Sequence, residues 1–203
     1  HLLYLKREGL DPHEVTIVAG TSRAYWEDVL ADRGDFTFAG TPEYEDAEKA
    51  GLHIFPLDPL PMVNASTMTT LWPTLQNRRD LCEGVLKAAL MGIQFVKTES
   101  DKMWKLMQED VAVELKIEDE RTLRHLYQYC RSILEPRLYP HAEAVYNAYL
   151  LAVMEEPQIV QKLNPMSLWD IHLLREIEES EFIDDLYGGH VPPPGAPPKR
   201  AGV

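Results

Sequence analysis

The chain has 203 residues, 33 of them acidic against 20 basic, for a formal net charge of −13. No basic footprint of the kind a nucleic-acid partner requires is visible, and the acidity itself speaks mainly to solubility. Hydrophobic residues make up 45% and charged residues 26%, the balance of a globular chain long enough for one good core or two small lobes.

No apolar run approaches the roughly 20 residues of a membrane span. Cys82 and Cys130 lie far apart, with no Cys-x-x-Cys pair and no Cys/His cluster. We therefore expect no zinc site and no cofactor, and two buried free thiols unless the two helices that carry them pack together. The residues before Gly9 read as the second half of a helix, with Lys6 and Arg7 in its last turn and Gly9 as its cap. A chain that begins inside an element is expected to be a fragment of a longer protein.

Three short runs rich in β-branched or aromatic residues follow, at Glu14–Ala19, Asp35–Ala39 and Leu52–Phe55. Each reads as a strand. Between them come helix patterns from Arg23 to Asp32 and from Pro42 to about Gly51. Residues 1–56 thus alternate helix and strand, the pattern of parallel β-α units. Pro56, Pro59 and Pro61 punctuate a crossover at 57–61, since proline fixes φ and donates no hydrogen bond. Met62 to Leu71 reads as extended. Beyond it the pattern is helical: 74–96 after Pro73, 100–110, 118–134 broken by Pro136, 142–154, a short turn at 157–164, and a last helix from 169 to 187 ended by Gly188-Gly189. Residues 190–203 form a proline-rich tail, expected to be flexible.

Ligands of open parallel sheets sit beyond the carboxyl ends of the strands, so the turns after the strands are the candidate sites. Thr21, Ser22 and Arg23 offer hydroxyls, amide N–H groups and a guanidinium for an anion. Gly40, Thr41, Glu43 and Tyr44 offer the same geometry with a carboxylate and a phenol. Helix capping explains both turns equally well. Asp58, between Pro56 and Pro59, could receive a ligand amine or hold the crossover itself. The seven histidines are scattered without a metal or hydrolase motif. His53, His125 and His172 are best read as structural, and so is the acidic cluster of residues 176–185.

The order of several segments carries a resemblance. They are Gly9-Leu-Asp-Pro-His-Glu-Val-Thr-Ile-Val, Arg33-Gly-Asp-Phe-Thr-Phe-Ala and Ala47-Glu-Lys-Ala-Gly-Leu, then Arg79-Asp-Leu-Cys-Glu-Gly-Val-Leu-Lys-Ala-Ala-Leu-Met-Gly-Ile-Gln-Phe-Val-Lys-Thr and Glu179-Ser-Glu-Phe-Ile-Asp-Asp-Leu-Tyr-Gly. Together they resemble the substrate-binding proteins of nitrate/sulfonate/taurine-type ABC transporters, and the pyrimidine-precursor binding proteins of the thiamine pathway that share their fold. The resemblance implies a type II periplasmic-binding-protein-like α/β fold of two lobes, its N-terminal part missing here. Residues 1–56 would be part of the second lobe, 57–61 the hinge crossover, and 62–189 a mostly helical return to the first lobe. It implies a small-molecule ligand, polar or anionic, clamped by hinge closure. It also implies the membrane subunits of an ABC importer as partners and a periplasmic or extracytoplasmic location. The site residues would be Thr21, Ser22, Arg23, Gly40, Thr41, Glu43, Tyr44 and Asp58. The alternatives are an enzyme on the same fold, such as an aromatic-acid decarboxylase or a pyrimidine synthase, which would be cytoplasmic, or a ligand-sensing domain. No catalytic His or Cys with a partner can be assembled from the sequence, which favours a binding protein.

Overall fold

Apolar residues at helical spacing, punctuated by proline and glycine, set the architecture. A computed structural model describes residues 2–18, 24–40, 43–55, 60–61, 67–160, 162, 164 and 169–192. The chain divides into two units. One comprises His1–Pro59, Trp104–Cys130 and Pro198–Val203, the other Leu60–Met103 and Arg131–Pro197.

The N-terminal helix α1 (Leu2–Arg7) buries Leu3 and Leu5. Gly9, at φ 75°, supplies the left-handed residue that ends it. A single 3₁₀ turn, Pro12–Glu14, is capped by the Asp11 side chain, which accepts from the His13 amide. Helix α2 (Trp26–Leu30) stops before Asp32, at φ 56°, and α3 (Glu43–Lys49) before Gly51, at φ 97°. The acids Glu43, Glu45 and Asp46 in the first turn of α3, and Lys49 in its last, complement the helix dipole.

The expected α/β fold is overturned here. No strand forms among the described residues, which carry helices and connections only. Val15 has extended dihedrals, but its amide donates to the Pro12 carbonyl at 3.4 Å and residues 15–18 join no ladder. Ile17 and Val18 are about 60% exposed, and Phe55 is 79% exposed. Phe36 is also exposed, and Phe38 stacks on Tyr4, centroids 5.1 Å apart. The physical reason is that β-propensity records how a side chain packs on a pleated surface. Without a neighbouring ladder, a β-branched run has nothing to pair with. The type II binding-protein arrangement of two sheet-centred lobes, with part of the fold missing, is therefore replaced by an all-helical description.

The helices of the C-terminal half form where the periodicity places them, with breaks that periodicity does not reveal. The helix expected over 74–96 is two: α4 (Trp72–Asn77), with Pro73 in its first turn, and α5 (Arg79–Thr98), separated by Arg78 at φ −133° and ψ 49°. Next come α6 (Ser100–Leu106), a π-helical turn (Met107–Val111) and α7 (Ala112–Leu115), which ends at left-handed Lys116. Helix α8 (Glu120–Ile133) follows, then α9 (Ala142–Glu155) and α10 (Pro157–Val160). The last predicted helix is also two, α11 (His172–Glu179) and α12 (Phe182–Leu186), with Glu181 left-handed between them. Gly188 and Gly189 then close the helical region at positive φ.

In the second unit, Leu90 of α5, Leu173 and Ile177 of α11 and Ile183 of α12 form a buried cluster, with Leu75, Cys82, Leu86 and Phe182 packed around it. Arg79 reaches Glu176 at 2.6 Å, tying the start of α5 to α11. Buried Asn147 of α9 donates to the Pro61 carbonyl at 3.0 Å and so anchors the described end of the proline-rich crossover. Glu178 accepts from Arg137 and, at 2.7 Å, from the Tyr139 hydroxyl. Burial and that neighbouring carboxylate push the Tyr139 phenol up to about 12. Both cysteines are free thiols, half-buried, and burial raises that of Cys130.

Deleting side-chain volume at the centre of this cluster should be costly. Ile177→Ala or Leu90→Ala is expected to lower unfolding free energy by about 2–5 kcal/mol. Val85→Ala, at a half-exposed position on the same α5, should stay within about 0.5 kcal/mol. Urea denaturation curves for the three variants check this.

Candidate functional site

Of the residues expected to form a site, Thr21, Ser22, Arg23, Thr41 and Asp58 lie outside the described residues. Gly40, Glu43 and Tyr44 are described. The Gly40 carbonyl accepts from the Tyr44 amide at 2.9 Å, so it receives a bond of the first turn of α3. Glu43 is exposed at the start of that helix. Tyr44 is half-buried, and its hydroxyl donates to Glu45 Oε1 at 3.3 Å.

Glu45, which sequence reasoning passed over as one more acid in a first turn, is the centre of a polar cluster in the first unit. It is 8% exposed. Its Oε1 meets His125 Nδ1 at 2.7 Å, and its Oε2 accepts from the Thr122 hydroxyl. Thr122, also buried, lies between two carboxylates, because its Oγ1 is 2.8 Å from Asp119 Oδ2 as well. One hydroxyl proton serves one carboxylate at a time. Asp119 has other donors, the amides of Thr122 at 3.2 Å and Arg121 at 3.3 Å, since it caps the N-terminus of α8. Lys49 stands 3.7 Å from Asp119. The Asp119-x-x-Thr122 spacing marks that cap in the sequence. The bond from Thr122 to Glu45, 77 positions away, leaves no local mark.

Burial pushes the Glu45 carboxyl up. The hydrogen bonds from Thr122 and His125, and the charge on His125, outweigh it and leave the group below its ordinary value of 4.5. The Thr122 hydroxyl, then the two amides, hold Asp119 below its ordinary value in the same way. Three partners occupy the two Glu45 oxygens, so the carboxylate acts as the acceptor that ties α3 to α8. His125, read from sequence as structural, has Glu45 as its hydrogen-bond partner.

A second polar centre lies in the second unit, where sequence reasoning placed nothing. The last turns of α5 and α8 cap each other. Lys97 Nζ donates to the Arg131 carbonyl at 2.8 Å, and Arg131 Nη2 to the Lys97 carbonyl at 2.9 Å. Cations at helix C-terminal carbonyls are favoured by the dipole. Lys97, Thr98 and Arg131, together with Tyr187, His190 and Pro192, line a concavity of about 290 Å³. Burial, and the like charge of Arg131, hold the Lys97 ammonium below its ordinary value although Glu135 opposes this. His190 Nδ1 is 3.1 Å from the Gly188 carbonyl, a contact that a ring protonated at Nδ1 makes as donor. Among the described residues, no group of three or more His, Cys, Asp or Glu could hold a metal ion.

Comparison with protein-family models, with curated proteins and with solved structures finds no match to this chain.

Thr122→Val removes a donor from a buried carboxylate and is expected to cost about 1–3 kcal/mol of stability. The pH dependence follows from the two depressed carboxyls. The unfolded chain binds more protons than the folded one, so their contribution is present above the ordinary values and fades as pH falls through and below about 4.5. Urea midpoints measured from neutral to acid pH should fall more steeply for the wild type than for Glu45→Gln.

Proposed function

We propose that this chain belongs to a solute-binding protein that takes up a small polar or anionic organic molecule for an ABC importer. The observation that carries the reading is the ordered series of segments from Gly9 to Gly188, each weak alone, whose order and spacing resemble the substrate-binding proteins named above. The longest of these segments, Arg79 to Thr98, coincides with the single unbroken helix α5. The membrane subunits of the importer would be its partners, and the location would be periplasmic or extracytoplasmic. Among the described residues no helix is long and apolar enough to cross a membrane, so in this reading the described chain leaves the membrane-spanning task to those partners.

The proposal concerns binding and carries no closure of two α/β lobes, because the described residues form no sheet. Lys97 and Arg131 line a concavity in the second unit, and cations at a concave surface suit an anionic solute. The enzyme alternative gains little. His125 has a hydrogen-bonded carboxylate partner, but that carboxylate is occupied by Thr122 and Tyr44 as well.

Isothermal titration against sulfonates, aromatic carboxylates and pyrimidines tests the reading. One compound should bind saturably without being consumed. At about 100 times its Kd it should raise unfolding free energy by about 2.7 kcal/mol. Chemical turnover of any of these compounds, with no saturable binding of the others, would overturn it.

A further inference from the structure

Helix α6, the π-helical turn and α7 run as one helical stretch from Ser100 to Leu115. Met103 and Met107, four residues apart, are its buried side chains. An unbroken α-helix would carry Glu114 onto that same face, seven residues after Met107. The π turn holds one residue more, so it rotates α7 by about 100°. The Ala112 amide accordingly donates to the Met107 carbonyl, five residues back, and Glu114 is exposed. Beside it an apolar patch stands in water, with Val113 70% exposed and Leu115 51%. These two side chains and Val111 line an open concavity of about 580 Å³, whose other lining residues are the acids Glu109, Asp110 and Glu114. Lys105 stands 3.7 Å from Glu109, whereas Asp110 and Glu114 make no ion pair among the described residues.

We propose that this surface docks a cationic amphipathic segment of another protein, one that sets apolar side chains beside Lys or Arg. Apolar patches rimmed by polar groups mark interaction surfaces, because covering them removes hydrocarbon from water. Val113 and Leu115 supply that apolar centre, and the rim selects the partner. Residues 108–120 carry six carboxylates and one cation, Lys116. Charge of one sign around a docking surface favours the opposite sign on what binds there. A second copy of this chain would bring a net charge of −13 and the same acids to the contact. An anionic lipid surface would be repelled in the same way. The surface rests on this helical stretch alone and holds whether or not the chain serves an importer.

A helical peptide of Leu and Lys with one apolar face, titrated into the full chain at physiological ionic strength, tests the proposal. A peptide of the same pattern with Glu for Lys controls for charge, and one with Ser for Leu controls for the apolar face. The expected result is saturable binding of the Leu/Lys peptide, weakened about tenfold or more in Val113→Ser, in the double variant Asp110→Asn, Glu114→Gln, and with either control peptide. Glu155→Gln changes an exposed acid outside this stretch. It should bind as the wild type does, which separates docking here from general attraction to an acidic chain. Val113 and the two acids are exposed, so urea midpoints of their variants should match the wild type and lost binding is not lost folding. Failure of the Leu/Lys peptide to saturate, equal affinity in wild type and Val113→Ser, or equal weakening by Glu155→Gln would overturn the proposal. Self-association of the chain that Val113→Ser abolishes would also overturn it, by giving the surface to a second copy.

Discussion

Burial of the α5 apolar face against α11 and α12 is the constraint on which the second unit depends. Leu90, Ile177 and Ile183 are each 1% exposed. Each such side chain contributes roughly 1.5–3 kcal/mol on leaving water. The cluster does more than stabilise. It fixes the rotation of a 20-residue helix, and rotation decides where its last turn points. With Leu90 and Ile93 turned inward, Lys97 meets the end of α8 at the Arg131 carbonyl. The polar arrangement at the helix ends is therefore a consequence of apolar packing about two turns earlier. Tyr187 and His190, which follow α12 directly, are brought to the same concavity because Ile183 is held in the core.

The first unit solves the same problem with polar chemistry. Leu3, Leu5, Ala47, Leu123 and Tyr127 are buried there, yet the contact joining α3 to α8 is the Glu45 carboxylate. A buried carboxylate is tolerable only when its oxygens are filled with donors. Thr122, His125 and Tyr44 provide them. Such a network favours one register of two helices, because any other leaves the charge unsatisfied. It also engages the hydroxyl of Tyr44, one of the residues read from sequence as a ligand contact.

Local chemistry made the helices legible. Gly9, Gly51, Gly188 and Gly189 all take the positive φ that helix ends require. Pro73 lies in the first turn of α4, and Asp119 caps α8 as an acid before a helix should. Breaks within long periodic stretches were not legible, since Arg78 and Glu181 are residues that ordinarily continue a helix. The strand assignments failed for a different reason. Val15–Val18 and Asp35–Ala39 have the composition of strands, but a strand is a relation between segments, and one segment's composition does not state whether a partner exists. Glu45 with Thr122, and Lys97 with Arg131, were missed on the same ground. Each residue is unremarkable in its own helix and acquires its role from a position 77 or 34 residues away.

That distinction bears on function. A resemblance carried by ordered segments speaks to what a chain recognises only through side chains that meet in space, and a fold by itself does not fix an activity. Of the two polar centres described, the Glu45 cluster has both of its carboxylate oxygens engaged by side chains of its own unit. At the Lys97 centre the ammonium is half-buried between the opposing charges of Glu135 and Arg131, and a concavity opens beside it. Self-satisfied networks hold structure together, whereas unbalanced ones create affinity for whatever restores the balance.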